Sequence, residues 1–381
     1  MIKEKLLTPL LKELFGLLDG QVYFVGGAVR DALLSRPIHD VDLTTPFTPN
    51  QVIEKLQASS IRIYPTGIEH GTLTLVLKDN TALEITAFRT DNQTDGRHAV
   101  VAFGTDMRQD ALRRDFTFNA LYMDGAGRLY DFTRGVKDLK KKRLRFIGRA
   151  DIRIKEDALR ILRYFRFMAQ LEIKRPDKEA LRACRQLRGL LAGLSKERIR
   201  DEMFKLLACD HPLCALHYMA RCGVLKQILN RADLQALRRL LHQEKRAGSR
   251  TGALFRLWAL TQGQMPKWPL TRTQIRLLND WNKAYFLPLQ TRADFCRVLY
   301  YYGKDTFLKM ILIKRANICF SSMRFFESLP VPKLCFTASD VAARFKVQGQ
   351  ALGQKIKVCE DIWLKTECRA KKEVVFRQIL E

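Results

Sequence analysis

The hydrophobic pattern of this chain changes period once, near residue 150, and that change limits what it can fold into. Before it come short β-rich or alternating runs: VYFV (22–25), VDLTT (41–45), LTLVL (73–77) and ALEITAF (82–88). Residues two apart on a strand share a face, so these segments read as strands, with AVRDALLS (28–35) a helix between them. From Ile152 onward such alternation nearly vanishes. KEDALRILRYFRFMAQL (155–171), KERIRDEMFKLLA (196–208) and LQALRRLLHQEKR (234–246) carry helical spacing instead. A mixed α/β part is therefore expected ahead of an all-helical remainder. At 381 residues the chain is too long for one ordinary domain. Gly248, Gly252, Gly263, Pro266 and Pro269 mark a break near 265–270, and Pro330 and Pro332 mark another.

Charge divides along the same line. The formal net charge is +27. Residues 1–150 hold 22 Lys+Arg against 18 Asp+Glu, which leaves 45 against 22 for residues 151–381. The first part is rich in carboxylates, and the second is basic enough to hold a phosphate backbone. A polyanionic partner is expected, either nucleic acid or an anionic membrane surface. All nine cysteines fall between Cys184 and Cys368 without a paired CxxC set, which argues against zinc. An odd cysteine count with no secretory pattern in MIKEKLLTPLLKELFGLL, which reads as an amphipathic helix, suggests reduced thiols in a cytoplasmic protein. No apolar run approaches the roughly 18 residues of a membrane span.

Several groups of residues carry chemistry. Asp40 and Asp42 stand two apart where a strand is expected, so their carboxylates share a face and repel unless a cation lies between them. Hard oxygen ligands suit Mg²⁺, and phosphoryl transfer commonly uses two such ions about 4 Å apart. A solvated strand edge is the alternative for this pair alone. Gly26 and Gly27 follow a strand and open a helix that carries Arg30. Glycines admit a phosphate to the backbone and a guanidinium forks onto its oxygens, although a plain tight turn also explains the glycines. Glu84, an acid within an apolar strand, is either outward-facing or a third metal-site carboxylate. Arg113 and Arg114 are adjacent and expected to point different ways, with Asp115 able to orient either one or to form a structural ion pair. The stretch 89–107, with TDNQTDGRH, reads as a long loop of the kind that is often functional.

Asp157 and Arg160 open a helix three residues apart. An ordinary intrahelical salt bridge is one reading. The other is base recognition. A carboxylate accepts from the exocyclic amino group of cytosine or adenine, and a guanidinium donates to the ring acceptor beside it. Guanine and uracil reverse both polarities. Each mismatched buried polar group costs about 1–3 kcal/mol, and two together give selectivity on the order of a thousandfold.

Taken in order, YFVGGAVRDALLSRPIHDVDLTT, PTGIEHGTLTL, LEITAFRTD, DGRHAVVAFGTDMRQDALRRDFTFNALYMD, YDFTRGVKDLKKKRLRFIG and KEDALRILRYFRF resemble the class II tRNA nucleotidyltransferase and bacterial poly(A) polymerase superfamily. LSKERIRDEMFKLL extends the likeness to about residue 207. The resemblance implies a polymerase-β-like α/β nucleotidyltransferase head (1–145), then an all-α neck (146–207), body (208–268) and tail (269–381). It implies metal binding at Asp40 and Asp42, with Mg²⁺ as the cofactor. It implies triphosphate binding at Gly27 and Arg30 and nucleotide binding at Arg114. Base reading falls to Asp157 and Arg160, with further nucleotide contacts at Arg163 and Arg166. Helical steps of three drift by about 60° each, which turns Arg166 almost opposite Asp157 and toward phosphate or RNA.

The activity implied is addition of C, C and A to the 3′ end of tRNA from CTP and ATP, with no membrane and no obligate protein partner evident. The stretch 89–103 resembles the flexible loop that full CCA-adding members use when passing from CTP to ATP. The single His-Asp dipeptide, His39-Asp40, lies inside the first motif, so no HD phosphohydrolase activity is expected. Poly(A) synthesis, or addition of C or A alone, shares the same motifs. A non-catalytic RNA-binding protein would dispense with the aspartates that are present here.

Overall fold

A computed structural model of the chain describes residues 6–38, 40–90, 102–315 and 318–380, with only the backbone of residues 90 and 102. The chain divides into two compact units: residues 1–194 with 218–227, and residues 195–217 with 228–381.

The first unit begins with α1 (Pro9–Leu17), β1 (Tyr23–Val25), α2 (Gly27–Leu33), β2 (Asp42–Thr45), α3 (Pro49–Leu56), β3 (Arg62–Gly67), β4 (Thr72–Val76) and β5 (Ala82–Ala87). There follow the short β6 (Arg89–Thr90) and β7 (Ala102–Phe103), then α4 (Met107–Leu112), β8 (Leu121–Asp124), β9 (Leu129–Asp131) and α5 (Gly135–Lys140). Seven strands form one sheet in the order β3-β4-β5-β2-β1-β8-β9, and β6 pairs with β7 separately. Only the β2–β5 pair is parallel; the other pairs of the large sheet are antiparallel.

The strands anticipated from alternation are present. Strands β3, β8 and β9 are not among those expected from alternation, although DGAG between LYM and LYDF is a hairpin signal. One sheet face buries Phe24, Leu43, Leu73, Leu75, Leu83 and Ile85 together with Leu14 and Phe15 of α1, Val29 of α2 and Val52 of α3. On the other face Val25, Phe88, Ala111, Tyr122 and Ile147 make a second, smaller core. The loop expected over 89–107 is in part the β6–β7 pair and the start of α4; residues 91–101 lie outside the described residues.

The helices α6 (Ala150–Glu156), α7 (Leu159–Gln170) and α8 (Lys178–Leu187) complete most of this unit. Helix α7 is deeply packed, burying Leu159, Ile161, Leu162, Tyr164, Phe165, Phe167, Met168 and Ala169. The motif DFTRGVKD, from Asp131 to Asp138, locks the sheet edge to this region. Asp131 accepts from the backbone of Gly135 at 2.8 Å and Val136 at 3.0 Å. Buried Asp138 takes the Thr117 hydroxyl at 2.8 Å and both Nε and Nη2 of Arg145 at 2.9 Å. Gly135 is there because a Cβ would stand 2.2 Å from the Thr117 carbonyl oxygen.

The remaining helices are α9 (Lys196–Ala208), α10 (Leu213–Arg221), α11 (Leu225–Ile228), α12 (Leu234–Ala247), α13 (Ala253–Thr261), α14 (Arg272–Phe286) and α15 (Arg292–Lys314), which is broken at Gly303. Then come α16 (Phe320–Ser328), α17 (Ala338–Phe345), α18 (Gly349–Lys365) and α19 (Lys372–Arg377). In the second unit a buried pair, Arg256 and Glu244, ties α13 to α12, and Arg256 Nη1 also satisfies the carbonyls of Leu207 and Cys209 at the end of α9. Trp363, Val341, Val375 and Phe376 form a separate apolar cluster near the C-terminus. The breaks expected near 265–270 and at Pro330–Pro332 fall between α13 and α14 and between α16 and α17. All nine cysteines are free thiols. Among the described residues no helix is long and apolar enough to cross a membrane.

Candidate active site

The polar part of the open sheet face gathers the carboxylates. Asp42 and Glu84 are direct partners across the parallel β2–β5 pair, so their side chains leave the sheet on one face. Both are exposed, while the residues after them, Leu43 and Ile85, point into the core. Glu84 is thus the outward-facing acid of its strand and at the same time the neighbour of Asp42. Asp40 departs from expectation, because β2 begins only at Asp42 and Asp40 lies in the connection before it. The ladder to β1 reaches only Leu43 and that to β5 only Asp42, so the backbone of Asp40 has no strand neighbour. Its charge still reaches Asp42. Although solvent reaches its side chain, the Asp42 carboxyl is raised above the usual carboxylate range by partial loss of hydration against the surrounding protein, then by the like charge of Glu84; Arg114 opposes the shift and Asp40 adds to it.

Gly26 and Gly27 stand at the end of β1 and the start of α2. Gly26 has φ +67° and ψ −118°, a backbone state that L residues avoid. Space is not what demands glycine there: a Cβ would sit 3.6 Å from the Asn119 carbonyl oxygen and 3.9 Å from Nη1 of Arg114. Arg114 therefore lies beside this turn.

The paired arginines do not diverge as the sequence suggested. Both close on Asp110, which is fully buried: Arg113 binds Oδ1, with Nε at 2.8 Å, and Arg114 binds Oδ2, with Nη2 at 3.0 Å. The reason is helical. Asp110 precedes them by three and four residues at the end of α4, so one carboxylate serves both. The Tyr122 hydroxyl donates to the same carboxylate at 2.7 Å and the Arg89 amide at 3.2 Å. Burial alone would push the Asp110 carboxyl up, but Arg114 and Arg113 outweigh it and hold it below the usual range.

Asp115 has another task. Its Oδ2 takes Arg163 at 2.7 Å, and its Oδ1 takes the Phe116 amide at 2.8 Å and the Asn119 side-chain amide at 3.0 Å. Burial raises this carboxyl, and Arg163 and Asn119 more than reverse the effect. Asn119 in turn accepts from Nη1 of Arg30 at 3.0 Å, and Asp31 takes Nε and Nη2 of Arg30 at 2.9 Å each. Buried Arg30 is thus held by protein groups on every side of its fork, and a polar chain runs from α2 through Asn119 and Asp115 to α7. The ring of Phe167 completes it, with the guanidinium carbons of Arg166, Arg30 and Arg163 at 4.1, 5.2 and 5.5 Å from its centroid. Asp110, Asn119, Tyr122 and Phe167 are site residues that the sequence motifs do not single out. The spacing of Asp110 from Arg113 and Arg114 was a usable signal; the link from Asn119 to Arg30 spans 89 positions and left none.

Asp157 is not inside a helix. It ends α6 in an extended conformation, and its Oδ1 accepts from the Leu159 amide at 3.0 Å, capping α7. Arg160 follows on α7, and its guanidinium is bound to Glu156 and donates to the carbonyl of Arg153 at 2.9 Å and that of Arg113 at 3.4 Å. Asp157, Arg160, Arg163 and Arg166 are all half-buried, whereas most of α7 is buried. Among the described residues no group of three or more His, Cys, Asp and Glu side chains forms a metal cage.

Comparison with known proteins follows the same division. Residues 22–145 match the poly(A) polymerase head domain, and residues 175–234 match a probable RNA- and SrmB-binding site of polymerase A. The chain is 44% identical over 222 residues to the mitochondrial CCA tRNA nucleotidyltransferase 1 of Mus musculus, covering 57% of this chain and 51% of that protein. It is 46% identical over 206 residues to the CCA-adding enzyme of Streptococcus pyogenes serotype M1, covering 53% and 49%. The chain therefore matches about half the length of these curated relatives. Its fold is similar to that of the Bacillus stearothermophilus CCA-adding enzyme, solved in complex with CTP, with a TM-score of 0.78 and 26% identity over 98% of both chains. With head and RNA-binding models matched in order and this fold running the length of the chain, the protein carries a poly(A) polymerase head domain followed by a polymerase RNA-binding region and is similar throughout to CCA-adding enzymes.

Proposed function

We propose that the chain adds C, C and A to the 3′ end of tRNA from CTP and ATP without a template. The observation that carries this reading is the set of carboxylates on the open sheet face, Asp42 beside Glu84 and within electrostatic reach of Asp40, next to the Gly26 turn and Arg114. Mutually repelling oxygen donors fit a hard divalent cation. Mg²⁺ is commonly held by one or two carboxylates together with substrate phosphates, so a closed cage is not required. Asp40 and Asp42 would hold it, and when bound it supplies Lewis-acid stabilisation of the charge that develops on phosphate oxygens.

The other roles follow from placement. The Gly26–Gly27 backbone lets a triphosphate approach, and Arg114, fixed by Asp110 and Tyr122, offers it a positioned cation. Arg30 is a positioning residue, since Asp31 and Asn119 already occupy its donors. Asp157 and Arg160 read the amino-plus-acceptor edge shared by C and A, with Arg163 and Arg166 beside them on α7. For that role Arg160 exchanges Glu156 for the base. The division into head (1–145), neck (146–207), body (208–268) and tail (269–381) is retained as a functional one, with body and tail binding tRNA. Free thiols at all nine cysteines support a reducing compartment such as the cytoplasm. The reading is supported by the relatives named for CCA addition and by the neighbour solved with CTP.

The test offers purified protein tRNA transcripts ending before CCA, after C and after CC, with each nucleotide supplied singly and CTP with ATP. Three residues added from CTP plus ATP are expected. Long A tails, or addition of C alone or A alone, refute the proposal.

A further inference from the structure

The average charge of residues 1–150 conceals a concentrated basic surface. Lys140, Lys141, Lys142 and Arg143 form an unbroken exposed run from the last residue of α5 onward, and Lys174 and Arg175, just before α8, and Lys178, its first residue, are exposed. The fold brings the two segments together: Arg143, Arg145, Arg175 and Lys178 line one cleft of about 560 Å³, with Leu144, Pro176, Asp177 and Glu179. Arg145 is committed to Asp138 and Asp177 caps α8. Among the described residues none of the seven exposed cations takes part in an ion pair. The acids of the cleft do not neutralise it: Asp177 and Glu179 face four cationic side chains. The cleft is lined by residues 143–145 and 175–179, with Lys140, Lys141, Lys142 and Lys174 on the chain leading into it, and the carboxylate face of β2 and β5 contributes nothing to its lining.

Arg143, Arg175 and Lys178 meet in the cleft, each flanked in sequence by further exposed lysines, and a surface that carries such cations gains by releasing counterions from a polyanion. We propose that this cleft is a second RNA-binding surface, which grips the phosphate backbone of the substrate RNA independently of the nucleotide site. The inference rests on the proposed tRNA activity for its choice of polyanion. It carries phosphate contacts beyond the stretch matched by the RNA-binding model, which begins at residue 175, onto the basic run 140–143 of the head segment, where the net charge gave no sign of them. Phosphate contacts position an RNA without reading its sequence, so the surface serves affinity and register and leaves base choice alone.

The experiment compares wild type with Arg143→Gln/Arg175→Gln/Lys178→Gln and, separately, Lys140→Gln/Lys141→Gln/Lys142→Gln. Binding of a tRNA transcript lacking CCA is followed by fluorescence anisotropy across a salt series, with KM for CTP measured in parallel. Loss of three phosphate contacts should make the slope of log K against log salt shallower by about 2–3. KM for tRNA should rise about tenfold or more at low salt, while KM for CTP stays at the wild-type value. The second variant changes only exposed side chains and should shift the slope in the same direction without loss of thermal stability. Unchanged slopes in both variants overturn the proposal. A rise in KM for CTP with no change in RNA binding also overturns it. Failure of the wild type to extend any tRNA would refute the proposed function instead, and the salt slope would still decide the RNA surface.

Discussion

Replacing Asp110 by Asn tests the central claim that one buried carboxylate organises the arginines of the site. The side chain is inaccessible to solvent and accepts from Arg113, Arg114, the Tyr122 hydroxyl and the Arg89 amide. An amide of the same shape keeps one acceptor, turns an NH₂ toward the guanidinium donors, and leaves two cations without their counter-charge. Breaking a buried pair in this way costs about 3–5 kcal/mol. At about 2–4 °C per kcal/mol for a unit of this size, melting of the first unit should fall by about 6–20 °C.

The pH dependence fixes the sign. The folded carboxyl titrates below its unfolded value of about 3.9, so its stabilisation is fully present above that pH and is lost as pH falls through the lower, folded value. The gap between wild type and Asp110→Asn should therefore be widest near neutrality and shrink toward pH 3. Calorimetry across pH, with nucleotide addition measured below the melting range, supplies both readouts. Asp151→Asn, which breaks the exposed pair with Arg149, is the control and should leave melting unchanged. An Asp110→Asn protein that melts like wild type, or a gap that widens in acid, refutes the reasoning.

Three further outcomes are expected. Asp42→Ala should abolish nucleotide addition and leave tRNA affinity near wild type in a filter-binding assay; a near-normal extension rate would remove Asp42 from the site. Asp157→Ala should lose the cap on α7, at about 1 kcal/mol, as well as discrimination, whereas Asp157→Asn retains an acceptor for the Leu159 amide and changes base choice alone. The ratio of kcat/KM for CTP to that for UTP should fall in both variants, and an unchanged ratio would make Asp157 a structural cap. Gly135→Ala drives a Cβ to 2.2 Å from the backbone oxygen of Thr117, which has no room to yield, and overpacking of this kind costs about 1–3 kcal/mol or more. Differential scanning calorimetry should show a lowered transition, and an unaltered one would mean that the turn relaxes without strain.

Much of this protein was legible in its sequence because the relevant signals are local. The change of hydrophobic period near residue 150 separates sheet from helices, since two-residue and 3.6-residue repeats cannot occupy one element. Gly26 is legible because only glycine settles readily at its backbone angles, and the acid within LEITAF because alternation alone puts Glu84 opposite in sense to Leu83 and Ile85. Tertiary structure decided the partners. Asp40 and Asp42 are two apart in sequence, but strand pairing starts at Asp42, so the like charge across the sheet from it is Glu84, forty-two positions away. Arg30 reads as a phosphate fork until Asn119 and Asp31 are seen to occupy it, and Asp115 reads as the partner of its neighbouring arginines until Arg163 arrives from α7. A guanidinium or a carboxylate has the same sequence signature whether it meets solvent, substrate or protein. Which of these it meets is set by burial and by contacts between distant segments, and only the folded chain determines those.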